Sequence, residues 1–284
     1  MESCLLCGSP QYRIIKKEAN GRTIGMCTSC HFVQVYPHVI QRDYEAVHFD
    51  DWEHDNPYIS QIEAHKQYFR TLLRYLHPFF KRSQITLLDV GCAIGALLMV
   101  AKEQGIDAEG IDIAKSAVSY AKKLHLPVSQ DTCLTWFRKK QYKNHYDIIT
   151  ALEVIEHEEN PLHMMQILYK MLRPGGIVVL TTPNFNTLFR IIMGNNWVGY
   201  QHQEHLWFFT PDTITQLLQQ TGFSDIHVRR DFYRPYSVSY MFRRLGDYVP
   251  LVRPMTTLIA SVTKQVSFSI PFNPWGDMLI TAKK

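Results

Sequence analysis

A chain of 284 residues with 46% apolar and 20% charged side chains has room for one full α/β domain plus a small appendage, and its composition is ordinary for a globular protein. A net charge of +4 is too small to argue for nucleic acid, although residues 225–284 carry nine Lys/Arg against four acids. No apolar run approaches the length of a membrane span and the N-terminus shows no secretory leader, so the expected location is the cytoplasm.

The first element is a cysteine pattern. Cys4 and Cys7 form one C-x-x-C pair, Cys27 and Cys30 a second, and nineteen residues separate them. Two thiolates on each of two tight knuckles close a tetrahedral zinc site. Gly8 suits the positive φ that such a knuckle needs. Between the pairs, alternating segments flank Asn20-Gly21, a hairpin signal. Residues 1–36 therefore predict a zinc ribbon. Four thiolates leave no open position for water, so the zinc is expected to be structural; His31 could compete as a ligand, but the four cysteines already complete the site.

Residues 37–60, with Pro37, Pro57 and several aromatics, predict a linker whose aromatics pack on the following domain or roof its active site. Ile62, Phe69, Leu72, Leu73 and Leu76 then fall at helical spacing over 61–77. A strand over Ile85–Val90 runs into the turn Gly91-Cys92-Ala93-Ile94-Gly95 and a helix from Ala96 to Gln104. Gly91 and Gly95 permit a sharp turn and the close approach of a ligand. Asp112 follows by about twenty residues, the spacing at which a βαβ unit sets an acid beside a ribose. Asp89 departs from the dinucleotide fingerprint. An anion at that point repels a pyrophosphate and suits a cationic or zwitterionic ligand.

Strand and helix keep alternating: strand 107–113, helix 115–124, a short strand near 127–130, strand 146–151, a helix opened by Pro161 and running to Leu172, and strand 177–181. A helix over 211–222 and strands at 225–230 and 278–283 complete the pattern. It predicts a three-layer α/β sandwich over 61–284 with a seven-stranded, mostly parallel sheet. Insertions are expected at about 184–210 and 232–275.

The glycine turn, with Asp89 before it, resembles the S-adenosylmethionine site of class I methyltransferases. Tyr146-Asp147-Ile148-Ile149 followed by Glu153-Val154-Ile155-Glu156-His157 resembles the fourth-strand region of ubiquinone-type members. Leu172-Arg173-Pro174-Gly175-Gly176 resembles their L-x-P-G-G turn. The segments Thr182-Pro183-Asn184, Trp197 and Glu204-His205-Leu206 through Thr210 resemble a branch that often carries an N-terminal zinc ribbon. The resemblance implies a Rossmann-like fold, S-adenosylmethionine as cofactor, and roles position by position. Asp89, Gly91 and Gly95 line its methionine part, Asp112 takes the ribose hydroxyls, Asp131 or Gln130 reaches the adenine amine, and Ala151 and Leu152 pack near the sulfonium or adenine. Ile113 joins this set. So does Cys92, as a small packing residue and not a nucleophile.

Methyl transfer to oxygen or carbon also moves a proton, and histidine is the usual acceptor. His157, after the fourth strand, and His205, in the first insertion with Glu204 beside it, are the candidates. The plainer readings are that His157 caps the helix or hydrogen-bonds backbone and that Glu204-His205 braces the insertion. Trp197, Tyr200 and Trp207 are expected to wall the pocket. The acceptor is a small molecule: quinone-like, sugar, or lipid- or polyketide-like. Two other readings are an RNA methyltransferase that uses the ribbon for binding and a non-catalytic cofactor-binding protein. The thin basic character of residues 1–36, four basic residues against two acids, speaks against nucleic acid. Residues 232–275 interleave apolar side chains with arginines. This marks a helical lid, a weak membrane-surface contact, or simply a helical hairpin on the sheet edge.

Overall fold

The structure, a computed structural model, describes residues 3–37, 59, 61–80, 82–140, 142–201, 204–232, 235–248, 250–263, 269–271 and 276–284. Of the expected 37–60 linker, only residues 37 and 59 lie within them.

A seven-stranded sheet organises the larger part of the chain. Its strands are β4 (Thr86–Val90), β5 (Asp107–Asp112), β6 (Val128–Gln130), β7 (Tyr146–Leu152), β8 (Leu172–Thr182), β10 (Ser224–Arg229) and β13 (Met278–Lys283). They lie in the order β10-β13-β8-β7-β4-β5-β6. The pairs among β4 to β8 are parallel, and β13 runs antiparallel between β8 and β10. This is the expected Rossmann-like sandwich.

Alternation along the strands makes the two cores. On β8, Val178 and Leu180 enter one face while Ile177 and Val179 enter the other; on β13, Met278 and Ile280 oppose Leu279. One face is covered by α1 (Ile62–Leu76) and α2 (Ala96–Glu103), through Leu72, Leu73, Leu76, Leu97 and Val100. The other is covered by α4 (Cys133–Lys140), α5 (Pro161–Met171) and α8 (Pro211–Gln220), through Trp136, Met165, Leu168, Ile214 and Leu217. Helix α3 (Lys115–Lys123) packs Ala121 beside Leu98 of α2. Asn160 caps α5, accepting the His163 amide at 2.9 Å, and Pro161 follows it.

Within this sandwich, two features differ from the expected pattern. Helix α4 was not anticipated, although Cys133, Trp136 and Phe137 fall at helical spacing. Strand β8 begins at Leu172, five residues before the predicted start, because Leu172 already pairs with Tyr146 and the register shifts once through Gly175. Gly175 has φ +77°, and a Cβ on Gly176 would lie 3.0 Å from the Arg173 and Asp147 carbonyl oxygens.

The N-terminal hairpin forms as predicted, with β1 (Tyr12–Lys17) antiparallel to β2 (Thr23–Cys27). A third strand, β3 (Val33–Tyr36), extends it. Beyond β3 lies β9 (Trp207–Phe208), contributed from the insertion that follows β8. That insertion also holds α6 (Leu188–Met193) and α7 (Val198–Gln201). Cys4, Leu6, Cys27 and Phe32 share one buried cluster with residues of α5 and α8. The ribbon is thus packed into the α/β body and is not tethered beside it.

The second insertion contains the short pair β11 (Pro235–Ser237) and β12 (Ser269–Pro271), and the helices α9 (Val238–Tyr248) and α10 (Arg253–Val262), packed together as a hairpin. Ser239 donates to the Ala260 carbonyl at 2.8 Å. No helix among the described residues is long and apolar enough to cross a membrane.

Candidate functional site

The strand order reverses at β4, between β5 and β7, so a crevice opens at the carboxyl ends of these strands. The glycine turn sits there. Gly91 has φ +73° and Gly95 φ +81°, a backbone region that L-residues rarely adopt. A Cβ on Gly91 would lie 2.5 Å from Val154 Cγ2, and one on Gly95 2.5 Å from Leu126 Cδ1. Both glycines are therefore demanded by the protein's own packing as well as by φ. Cys92 is buried, and its Sγ occupies the space that a side chain on Gly110 would need, 2.8 Å from that Cβ. This is the packing role expected of it.

Asp112 ends β5 with its carboxylate folded back onto the turn. Oδ2 accepts the Ala93 amide and Oδ1 the Ala114 amide, each at 2.8 Å. Burial raises its pKa, against the lowering effect of these amides. A carboxylate offers about four acceptor positions, so capacity remains on both oxygens for a pair of hydroxyls. Asp89 is buried one strand away and accepts the Thr150 hydroxyl at 2.6 Å. Burial pushes its carboxyl up to about 7, the nearby Asp112 charge adding to the effect. A buried acid of this kind gains most from a cationic partner. Ile113, directly after Asp112, stands 49% exposed, an apolar surface left open at the crevice. These groups fit a ligand carrying a cation, a diol and a flat apolar ring.

The other expected contacts differ in kind. Asp131 is engaged by Ser129, Thr135 and Lys139, its oxygens 2.6–2.9 Å from their donors. Its carboxylate anchors the turn into α4. Gln130 is exposed and donates to the Ile113 carbonyl at 3.1 Å. Ala151 is fully buried opposite Val90, and Leu152 is partly buried against the α1–α2 cluster.

The four ribbon cysteines converge. Cys4 Sγ lies 3.6 Å from Cys30 Sγ, Cys7 Sγ lies 3.5 Å from Cys27 Sγ, and all four sulfurs are within 4.8 Å of one another. A tetrahedral metal with sulfur at about 2.3 Å requires sulfur–sulfur edges of roughly 3.8 Å, so the thiols fit such an ion. The two knuckles repeat one geometry. Gly8 donates to the Cys4 carbonyl and His31 to the Cys27 carbonyl, and both take positive φ, +73° and +62°. The structure thus gives His31 the left-handed position after the second cysteine of its pair.

His157 and His205 come together, their rings 4.8 Å apart and edge to face. His205 is buried and His157 partly buried. His157 Nδ1 lies 3.2 Å from the Glu204 carbonyl oxygen. A carbonyl only accepts, so Nδ1 is the donor in this hydrogen bond. The backbone hydrogen bond expected of His157 on the plainer reading is therefore present.

Glu156, within Glu153-Val154-Ile155-Glu156-His157, has no site signal in the sequence. It is fully buried, its two carboxylate oxygens make no hydrogen bond of ordinary geometry among the described residues, and it lies with His157 and His205 in a group whose ligand atoms are within 4.8 Å of one another. Burial, with the Glu153 charge, holds its pKa well above the usual carboxylate range. Two imidazoles and a buried carboxyl so placed can share a proton or hold a divalent cation. Glu153, just before, takes φ +56°.

Trp197, Tyr200 and Phe208 are buried with Ile24, Val33 and Val35 of the ribbon, and Trp207 stacks on Phe32 at 5.8 Å. These aromatics join the insertion to the ribbon instead of walling the crevice.

The family model described as a methyltransferase domain matches residues 61–228. A ubiquinone biosynthesis O-methyltransferase of Aliivibrio fischeri is 28% identical over 171 residues, 57% of this chain and 73% of its own length. The protein of the same description from Rickettsia typhi is 31% identical over 150 residues, 49% of this chain and 60% of its own. In fold, the chain is similar to a SAM-dependent methyltransferase from Archaeoglobus fulgidus, with TM-score 0.55 and 20% identity over 81% of this chain and 100% of that one. It is also similar to phosphoethanolamine N-methyltransferase 2 from Haemonchus contortus, with TM-score 0.54 and 17% identity over 89% of this chain and 62% of that one.

Proposed function

The chain belongs to the methyltransferase-domain family, and from that premise we propose that it transfers a methyl group from S-adenosylmethionine to an oxygen of a small phenolic, quinone-like acceptor. The observation that carries this reading is the crevice itself: Asp89, the Gly91–Gly95 turn, Asp112 and exposed Ile113 together at the point where the strand order reverses. Oxygen is preferred over carbon because relatives from two bacteria are named as O-methyltransferases. S-adenosylmethionine, when bound, supplies a methyl already activated on a sulfonium.

The chain's own residues then have three tasks. Asp112 holds a ribose by charge-assisted hydrogen bonds, and Asp89 meets a cationic amino-acid end. Alignment of the acceptor oxygen contributes most to the rate. His205 takes the proton that the acceptor oxygen gives up, with Glu156 and His157 close enough to stabilise the resulting imidazolium.

The ribbon is read as holding one structural zinc ion through Cys4, Cys7, Cys27 and Cys30. Its burial against α5 and α8 supports a role in the body of the enzyme more than a separate nucleic-acid module. The test is incubation with methyl-labelled S-adenosylmethionine and a panel of catechols. Label recovered as a methyl ether supports the proposal. Label found only on carbon, nitrogen or RNA rejects it.

A further inference from the structure

Arg22 belongs to the ribbon, one residue before β2, yet its side chain serves the histidine segment. It is 8% exposed. Nη2 donates to the His205 carbonyl oxygen at 2.7 Å and Nη1 to the Tyr200 carbonyl oxygen at 3.2 Å. Nη1 also meets Glu18 Oε1 at 3.2 Å, so the buried charge is paired within the ribbon. The next residues are gripped from both sides. The Val35 amide donates to the Leu206 carbonyl at 3.0 Å, the Leu206 amide donates to the Glu156 carbonyl at 2.8 Å, and Gln34 pairs with Trp207 across β3 and β9.

The backbone carrying His205 is therefore suspended between a ribbon strand and the loop that holds Glu156 and His157. A guanidinium is a flat, rigid fork. Bridging two carbonyls, it fixes their separation in a way that a lysine's single ammonium does not.

We propose that Arg22 is a positioning residue for His205: the ribbon sets where the imidazole stands relative to Glu156 and His157, so the ribbon is needed for turnover and not for cofactor binding. The inference rests on the reading of His205 as proton acceptor. It gives the N-terminal module a task in the reaction beyond holding a metal.

The test uses the full chain carrying Arg22→Met, Arg22→Lys or His205→Ala, with methyl-labelled S-adenosylmethionine and a catechol. Arg22→Met is expected to lower kcat by about 10²-fold, the scale of an ångström-sized misplacement, with cofactor affinity unchanged by calorimetry. Arg22→Lys restores only part of the loss. A second readout needs no acceptor: the His205 imidazole signals in NMR, assigned by their disappearance in His205→Ala, are expected to shift in Arg22→Met while those of exposed histidines stay in place. If Arg22→Met melts too low to assay, Arg22→Lys, which keeps the charge beside Glu18, carries both readouts. Unchanged His205 signals overturn the proposal whatever the rate. A normal kcat in the arginine variants with an impaired His205→Ala overturns it while leaving the base reading intact. A normal kcat in His205→Ala overturns both.

Discussion

One carboxylate oxygen of Asp112 accepts the amide of Ala93 at 2.8 Å, tying the acid at the end of β5 to the turn that follows β4. Ala93 takes φ +45°, a conformation that costs a residue with a Cβ roughly 1–2 kcal/mol. The bond from Asp112 helps to hold it there. Two sequence motifs about twenty residues apart are thus one physical unit, and the acid proposed to hold the ribose also shapes the turn beneath it.

Under the proposed function, Asp89 is expected to make cofactor binding pH-dependent. Burial, with a smaller contribution from Asp112, raises its carboxyl from 3.8 to about 7. The raised value means that the unliganded fold is helped by the neutral acid at low pH and loses that help as pH climbs from 3.8 to about 7. A cationic ligand end needs the ionised form, so affinity for S-adenosylmethionine is expected to rise by about tenfold between pH 6 and pH 8 and then level off. Calorimetric titrations across that range check this. Asp89→Asn is expected to bind weakly at every pH, and a flat profile in the wild type counts against a charged partner for Asp89.

Zinc loss is expected to destabilise more than the ribbon. Cys4 and Cys27 share a buried cluster with α5 and α8, so a collapsed knuckle exposes the edge of the main core. Metal analysis is expected to give one zinc per chain, and Cys27→Ser to abolish it and lower Tm by several degrees. A metal-free wild type with an unchanged melting curve speaks against the site.

Helix α10 presents Met255, Leu258 and Val262 to solvent, with Leu251 just before it 91% exposed. Arg243 and Arg253 are exposed as well. Such a face suits weak contact with an anionic bilayer, where an apolar acceptor would reside. Sedimentation with phosphatidylserine vesicles is expected to pull down the wild type in a salt-sensitive way. Leu251→Glu/Leu258→Glu is expected to lose that binding with stability changed by no more than about 0.5 kcal/mol. Equal recovery of both proteins makes the face ordinary surface.

His205→Ala is expected to lower kcat by about 10²–10⁴ with cofactor affinity intact. Glu156→Gln, which removes a buried acid of similar shape, is expected to lower kcat in the same direction. Steady-state rates with labelled cofactor measure both. If both variants and His157→Ala turn over at the wild-type rate, alignment alone accounts for the reaction and no proton acceptor is required.

The parts legible in the sequence are those written in short-range pattern. The glycine turn, Asp112, the cysteine knuckles and the β4–β8 alternation each sit within a few residues or one βαβ unit, where spacing reports geometry. Strands β3 and β9 were not legible. All four residues of β3 are buried, so it has no alternation to read, and its partner is two residues long and more than 170 positions away. The same distance hid the Arg22–His205 bond. Aromatics near a cofactor suggest a wall, so the sequence alone points Trp197, Tyr200 and Trp207 to the pocket. The ribbon that they cover was the missing surface. Glu156 was hidden by its chemistry: an acid in a polar loop motif gives no sign that it will be buried beside two imidazoles.

The most direct test is a calorimetric titration of S-adenosylmethionine into the wild type and Asp112→Ala, with circular dichroism to show that both are folded. Each hydrogen bond to a charged acceptor contributes roughly 1.5–3 kcal/mol, so the variant is expected to bind at least about tenfold more weakly at a single site. A folded wild type that takes up no S-adenosylmethionine, or a folded Asp112→Ala with undiminished affinity, would contradict the account.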